Sequence, residues 1–116
     1  MDNFDIPIFK KGYDLYKTFH EYRKLVPKAD RYTVFERGEN TILDVLDNIM
    51  TASGQQGREK LNTLNKASSR LNLLRVFTRL LKDTKIIDLK KYISLENIID
   101  EIGRMLGGWI KSIKVI

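Results

Sequence analysis

Apolar residues recur along this chain at helical spacing in four separate runs. The first follows Pro7, which suits the opening turn of a helix because the N–H it lacks would have no partner there. Ile8, Leu15, Phe19, Tyr22 and Val26 repeat at intervals of 7, 4, 3 and 4, and Phe9, Tyr13 and Tyr16 widen this core-facing stripe. Pro27 ends the helix at about Val26, since the residue before a proline is pushed out of the α region. The linker Pro27 to Asp30 is short. Asp30 or Thr33 can cap the second helix, and Thr33 with Glu36 has the Thr-x-x-Glu spacing of a capping box. Phe35, Gly38, Ile42, Val45, Ile49 and Ala52 then recur at 3, 4, 3, 4 and 3, the seam of a helical bundle.

Ser53-Gly54-Gln55-Gln56-Gly57 is the clearest break, and its glycines mark a turn between antiparallel helices. The third run, Leu61, Leu64, Ala67, Leu71 and Leu74, drifts around the helix axis relative to a later apolar cluster. A stripe spaced below 3.6 residues does this when it wraps its neighbours left-handedly. Asp83 to Asp88 makes a short connection containing Ile86 and Ile87. The last run repeats Leu95, Ile99, Ile102, Leu106, Trp109, Ile113 and Ile116 at 4, 3, 4, 3, 4 and 3. Nothing reads as a strand. Four helices of roughly 20 to 28 residues joined by short turns predict an all-α, antiparallel up-down-up-down four-helix bundle, forming a single domain over residues 1–116.

At 116 residues such a domain buries roughly 60 to 70% of the surface of its unfolded chain and needs no covalent or metal staple. The chain has no cysteine. That excludes a disulfide framework, a thiol nucleophile and a cysteine-ligated zinc, and it fits a reducing cytoplasm. No run approaches the roughly 18 apolar residues of a membrane span. Asp2 and Asp5 precede any apolar segment, the reverse of a signal peptide's order. A soluble, cytoplasmic protein with no membrane association is expected.

Charge changes this picture. The net charge is +6, and residues 56–91 hold ten Lys and Arg against three Asp and Glu. Within the third helix Arg75, Arg79 and Lys82 fall at i, i+4 and i+7 on one face, while Leu73, Leu74, Val76, Phe77, Leu80 and Leu81 project to the other. One face serves a core. The other is either a solvated surface or a site for a polyanion, with Arg70, Arg75, Arg79, Lys82, Lys85, Lys90 and Lys91 as its principal cations. Arginine suits phosphate through bidentate pairing. Aromatics do not interleave with these cations along the sequence, so weakly specific binding is expected, without base stacking.

The last helix contains Gly103, Gly107 and Gly108, and each interior glycine costs about 1 kcal/mol relative to alanine. Gly103 and Gly107, at i and i+4, form a smooth strip for close approach of another helix, within the bundle or from a neighbouring subunit. Alternatively Gly107-Gly108 ends the helix and Trp109 folds back as a lid. Gly103-Arg104-Met105-Leu106-Gly107-Gly108-Trp109-Ile110 resembles the Gly-Arg-x-Leu-Gly-x-Trp-Ile signature of the accessory variability determinant proteins of diversity-generating retroelements. The segment Leu73-Leu74-Arg75-Val76-Phe77-Thr78-Arg79-Leu80-Leu81 is similar to that family's third helix, and the Tyr-rich first helix ending at Pro27 also fits. A more remote likeness is to four-helix-bundle proteins encoded in intervening sequences of bacterial 23S rRNA genes.

The resemblance implies a non-enzymatic accessory protein, a homopentamer of four-helix bundles, that binds the retroelement's reverse transcriptase and nucleic acid and supports error-prone cDNA synthesis. It also marks Arg104 as an interface candidate. The second helix is acidic, with Glu36, Glu39, Asp44 and Asp47, which makes the charge one-sided. The rival expectation is a scaffold that binds a protein through the glycine strip and Trp109, its basic face merely solvated.

Catalytic chemistry finds little material. His20, the only histidine, lies beside the Phe9, Tyr13, Tyr16 stripe and reads as a core or boundary residue. Glu-x-x-His pairs, which hold metals in helical bundles, are missing. Asp44 and Asp47 could join Glu36 or Glu39 as oxygen ligands, but a solvated acidic face explains them with less. Asp100 and Glu101 can pair with Arg104 within their helix. No cofactor and no enzymatic activity are expected.

Overall fold

The computed structural model describes residues 6–113. Its helices are α1 (Pro7–Glu21), α2 (Lys28–Arg31), α3 (Val34–Ser53), α4 (Gly57–Asp83) and α5 (Leu89–Ser112), with a 3-10 turn at Tyr22–Leu25. The four long helices form an antiparallel up-down-up-down bundle in which α3 packs on α1 and α4, and α5 closes the ring against α4 and α1. The bundle is a rod of 49 × 25 × 23 Å. Among the described residues no helix is long and apolar enough to cross a membrane.

Most positions of the predicted stripes form the core, although Tyr22, Leu61, Trp109 and Ile113 are only partly buried and Tyr13 is exposed. Ile8, Leu15, Phe19 and Val26, then Phe35, Ile42, Val45, Ile49 and Ala52, then Leu64, Ala67, Leu71 and Leu74, then Leu95, Ile99, Ile102 and Leu106 are all buried. Each large side chain among them contributes roughly 1.5–3 kcal/mol by leaving water. Ile116 lies outside the described residues. Phe19 and Phe35 stack with centroids 4.6 Å apart, and Gly38 makes room for the pair. A Cβ at Gly38 would stand 2.6 Å from Phe19 Cζ.

Three expectations are corrected, and one alternative is rejected. α1 proper stops at Glu21 and the rest of the predicted span is a 3-10 turn, closed by the Val26 N–H donating to Arg23 O at 3.0 Å, while Val26 itself is extended, as expected of the residue before Pro27. The capping box of the second helix does not form. Lys28–Arg31 makes a helical turn of its own, and Thr33, at the N-cap of α3, makes no capping bond because its hydroxyl donates backward to Asp30 O. On α4, Val76 and Leu80 are 53% and 40% exposed. The bundle buries one narrow arc of that helix, and the apolar sector is wider than the arc. Finally, α5 runs unbroken through Gly107 and Gly108 to Ser112, so these glycines do not terminate it. Trp109 stays within the helix, partly buried against the core, with Lys60 Nζ 5.4 Å from its ring centroid.

Candidate nucleic-acid interface

Antiparallel packing brings the end of α1, the start of α3, the end of α4 and the start of α5 to one tip of the rod. Tyr22 illustrates the closure: burial raises its hydroxyl above the ordinary pKa, and Lys91, Asp88 and Ser94 from the start of α5 are among its neighbours. Two sequence segments meet here. Residues 20–31 carry Arg23, Lys24, Lys28 and Arg31 against Glu21 and Asp30. Residues 82–91 carry Lys82, Lys85, Lys90 and Lys91 against Asp83 and Asp88. These two segments hold eight cations against four carboxylates, and the start of α3 adds Arg37 against Glu36 and Glu39, which leaves the tip a surplus of three positive charges.

Local structure fixes the cations of the second segment. Ile86 N–H donates to Leu81 O at 2.9 Å and Lys85 N–H to Lys82 O at 2.9 Å, the paired bonds of a Schellman motif at a helix C-terminus. The motif requires a left-handed residue, and Lys85 occupies that position with φ 64°. Asp88 then caps α5, accepting from Lys91 N at 2.8 Å. Lys91 Nζ returns to the same carboxylate at 3.1 Å. Both bonds favour the ionised carboxyl and hold Asp88 below its ordinary pKa. Lys82 reaches Asp83 at 3.6 Å and covers the ring of Tyr92 at 4.5 Å. Lys85 and Lys90 make no ion pair among the described residues.

The first segment is organised by a buried carboxylate. Glu39 is 7% exposed and receives His20 Nδ1 at 2.9 Å and Arg23 Nη1 at 3.3 Å. His20 also stacks on Tyr16, with centroids 5.8 Å apart, so the expected core or boundary histidine is instead an exposed one with structural partners. Arg23 lies 5.3 Å from the ring centroid of Tyr32. Arg31 Nε donates to Val26 O at 2.9 Å, which aims the guanidinium across the α1–α3 connection.

The remaining predicted cations divide. Arg75 is held within the fold: it pairs with Asp100 and approaches Glu96 at 3.8 Å, while Thr78 donates to Glu96 at 3.3 Å. The same network explains Gly103, where a Cβ would meet Arg75 Nη2 at 3.1 Å. Gly103 is thus the point of close approach between α5 and α4. Cβ atoms at Gly107 and Gly108 would meet nothing within 4 Å, so the smooth strip continues into open surface. The intrahelical pairing considered for Arg104 does not form, since Asp100 is taken by Arg75 and Glu101 by Lys11 at 3.1 Å. Arg104 is exposed beside a groove lined by Asn72, Arg75 and Asp100. Arg79 is exposed, with Asp83 at 3.6 Å. Arg70 sits between α3 and α4 in a depression shared with Asp44, Asp47 and Lys66. Among the described residues no group of three or more acidic or histidine side chains is placed to hold a metal ion.

Sequence reading missed Arg23, Lys24, Lys28 and Arg31, which sit in a stretch of near-balanced charge and gain significance only from their spatial neighbours. It also missed the aromatics. Rings do not alternate with cations along the chain, yet the fold sets Tyr32 under Arg23, Tyr92 under Lys82 and Phe77 under Arg37 at 5.4 Å.

Known proteins extend these observations. A crystal structure of a protein of unknown function from the S23 ribosomal protein family of Bacteroides thetaiotaomicron has the same fold. It matches with a TM-score of 0.80 and 24% sequence identity, over 90% of this chain and 96% of that one. No curated protein matches. The family model described as bAvd-like matches residues 7–113, nearly the whole chain, and the chain therefore belongs to the bAvd-like family.

Proposed function

We propose that this protein is a non-enzymatic, cytoplasmic accessory protein of a diversity-generating retroelement. In this reading it binds nucleic acid and the reverse transcriptase through its basic tip and supports mutagenic reverse transcription. The observation that carries the proposal is the convergence of two sequence segments into a tip with eight cations, of which Lys85 and Lys90 form no direct ion pair among the described residues, Lys90 acting on Asp88 only through the field of its charge. Phosphate-rich ligands meet such a surface through Coulomb attraction and counterion release. Arg70, Arg79 and Arg104 extend it along the rod, while Arg75 acts chiefly within the fold. Membership in the bAvd-like family supports an accessory role, and the family resemblance suggests five copies per assembly.

The test is fluorescence anisotropy of labelled structured RNA and duplex DNA across a salt series. The wild type is compared with a Lys24/Lys28/Lys85/Lys90→Glu variant and with a Lys10/Arg58/Lys111→Glu control altered away from the tip. Wild type is expected to bind with log K falling by about 0.9 per neutralised duplex phosphate in log salt. The tip variant loses affinity by at least about tenfold and loses slope, and the control stays close to wild type. Equal losses in both variants would mean that net charge alone matters.

A second reading, a protein-binding scaffold, draws on the exposed Val76 and Leu80 and on the open surface at Gly107 and Gly108. Under that reading the tip variant still co-purifies with the reverse transcriptase.

A further inference from the structure

Beside the basic tip, the residues just before α3, the first turns of α3 and Phe77 of α4 line an open cavity of ≈ 380 Å³ whose lining includes Tyr32, Val34, Phe77 and Asn40. This is within the size range of clefts that take small planar ligands. We propose that this cavity receives an unpaired nucleobase of a single-stranded nucleic acid whose phosphates run over the tip. The inference rests on the nucleic-acid reading above and specifies the form of ligand that the surface selects.

Three features point to a base. The first is an accessible aromatic: Tyr32 is 68% exposed, with Arg23 over one face of its ring at 5.3 Å from the centroid. Bases stack on exposed tyrosine rings and on arginine planes without regard to sequence. The second is Arg37, whose guanidinium rests 5.4 Å from the Phe77 centroid and presents a second flat surface in the same lining. The third is the polar edge. Asn40, Thr33 and Glu36 also line the cavity, offering amide and hydroxyl donors and carboxylate, amide and hydroxyl acceptors to the rim of a base. Glu36 repels a phosphate, so the cavity suits the neutral base while the anionic backbone lies outside it. The backbone has a path, since Arg23 also borders a neighbouring depression lined by Lys24 and Arg31. A duplex, whose bases are paired and stacked, cannot fill the cavity.

The experiment compares a labelled oligouridylate of about a dozen nucleotides with an abasic ribose-phosphate strand of equal length, at fixed and at varied salt. Proteins are wild type, Tyr32→Ala and Tyr32→Phe, each checked by circular dichroism. Wild type is expected to prefer the base-bearing strand by roughly five- to a hundred-fold. Tyr32→Phe keeps the preference. Tyr32→Ala removes most of it, while affinity for the abasic strand and the salt slope stay as in wild type. Equal, salt-dependent binding of both strands by wild type overturns the base pocket and leaves the polyanion reading intact. Binding of neither strand overturns both. A Tyr32→Ala protein that keeps the base preference but loses binding to purified reverse transcriptase assigns the cavity to a protein side chain and overturns the proposal.

Discussion

Lys85 shows how much one residue can reveal. A non-glycine residue in the left-handed region costs roughly 1–2 kcal/mol, and the Schellman position it fills is where glycine is usual. Here the chain has lysine at φ 64°. Lys85→Gly should therefore stabilise the fold by about 1 kcal/mol, read as a higher urea midpoint, while weakening nucleic-acid binding by removing a cation that has no ion-pair partner among the described residues. A variant that gains stability without losing affinity would mark the lysine as incidental. The sequence could not signal this, because a left-handed φ at a non-glycine position leaves no compositional trace. Glu39 was equally hidden. It reads as one of four acidic residues on an exposed face, yet it is 7% exposed and draws His20 and Arg23 together.

The helices themselves were legible because each buries one stripe, and the intervals of 3 and 4 state directly which residues face inward. Their ends were less so. The expected capping box at Thr33 gave way to a turn of helix after Pro27, whereas the cap that does form, Asp88 on α5, was read only as part of a connection. That cap has a pH signature. The carboxyl of Asp88 is held below its ordinary pKa by the Lys91 N–H and ammonium, so its contribution is present above the unfolded-state pKa and is lost as pH falls through the lowered folded value. Asp88→Ala should accordingly melt at a lower temperature than wild type near neutrality. The gap should narrow once the solution is acidic enough to protonate the folded carboxyl. A gap that persists unchanged in acid would show that the cap acts without its charge. Arg75 makes a related point: the sequence set it on the outer face of α4, but a helix in a bundle has flanks as well as an outside, and Arg75 is on the flank, tied to Asp100 and Glu96 of α5.

At the level of the molecule, charge has a position as well as a sum. The net +6 is spread over the sequence in a way that made α4 look like the main carrier, while folding moves the centre of positive charge toward one tip by joining residues 20–31 to residues 82–91. This shift was unreadable from the chain alone, since it depends on which ends of the helices meet. A rod of 49 × 25 × 23 Å with such a tip is electrically a vector. If copies assemble side by side around a rotation axis, as the proposed pentamer would, symmetry points every vector the same way and crowds like charges on a common rim. Subunit cohesion is then opposed by the very groups that attract the ligand. Raising ionic strength from about 0.05 to 0.5 M, which shortens the screening length, should tighten association in sedimentation equilibrium, and a short polyanion at low salt should do the same. Weakened association in either condition would argue for copies packed in opposing directions. Because linkage is reciprocal, an assembly that closes on binding a polyanion is also one that binds it more tightly once closed.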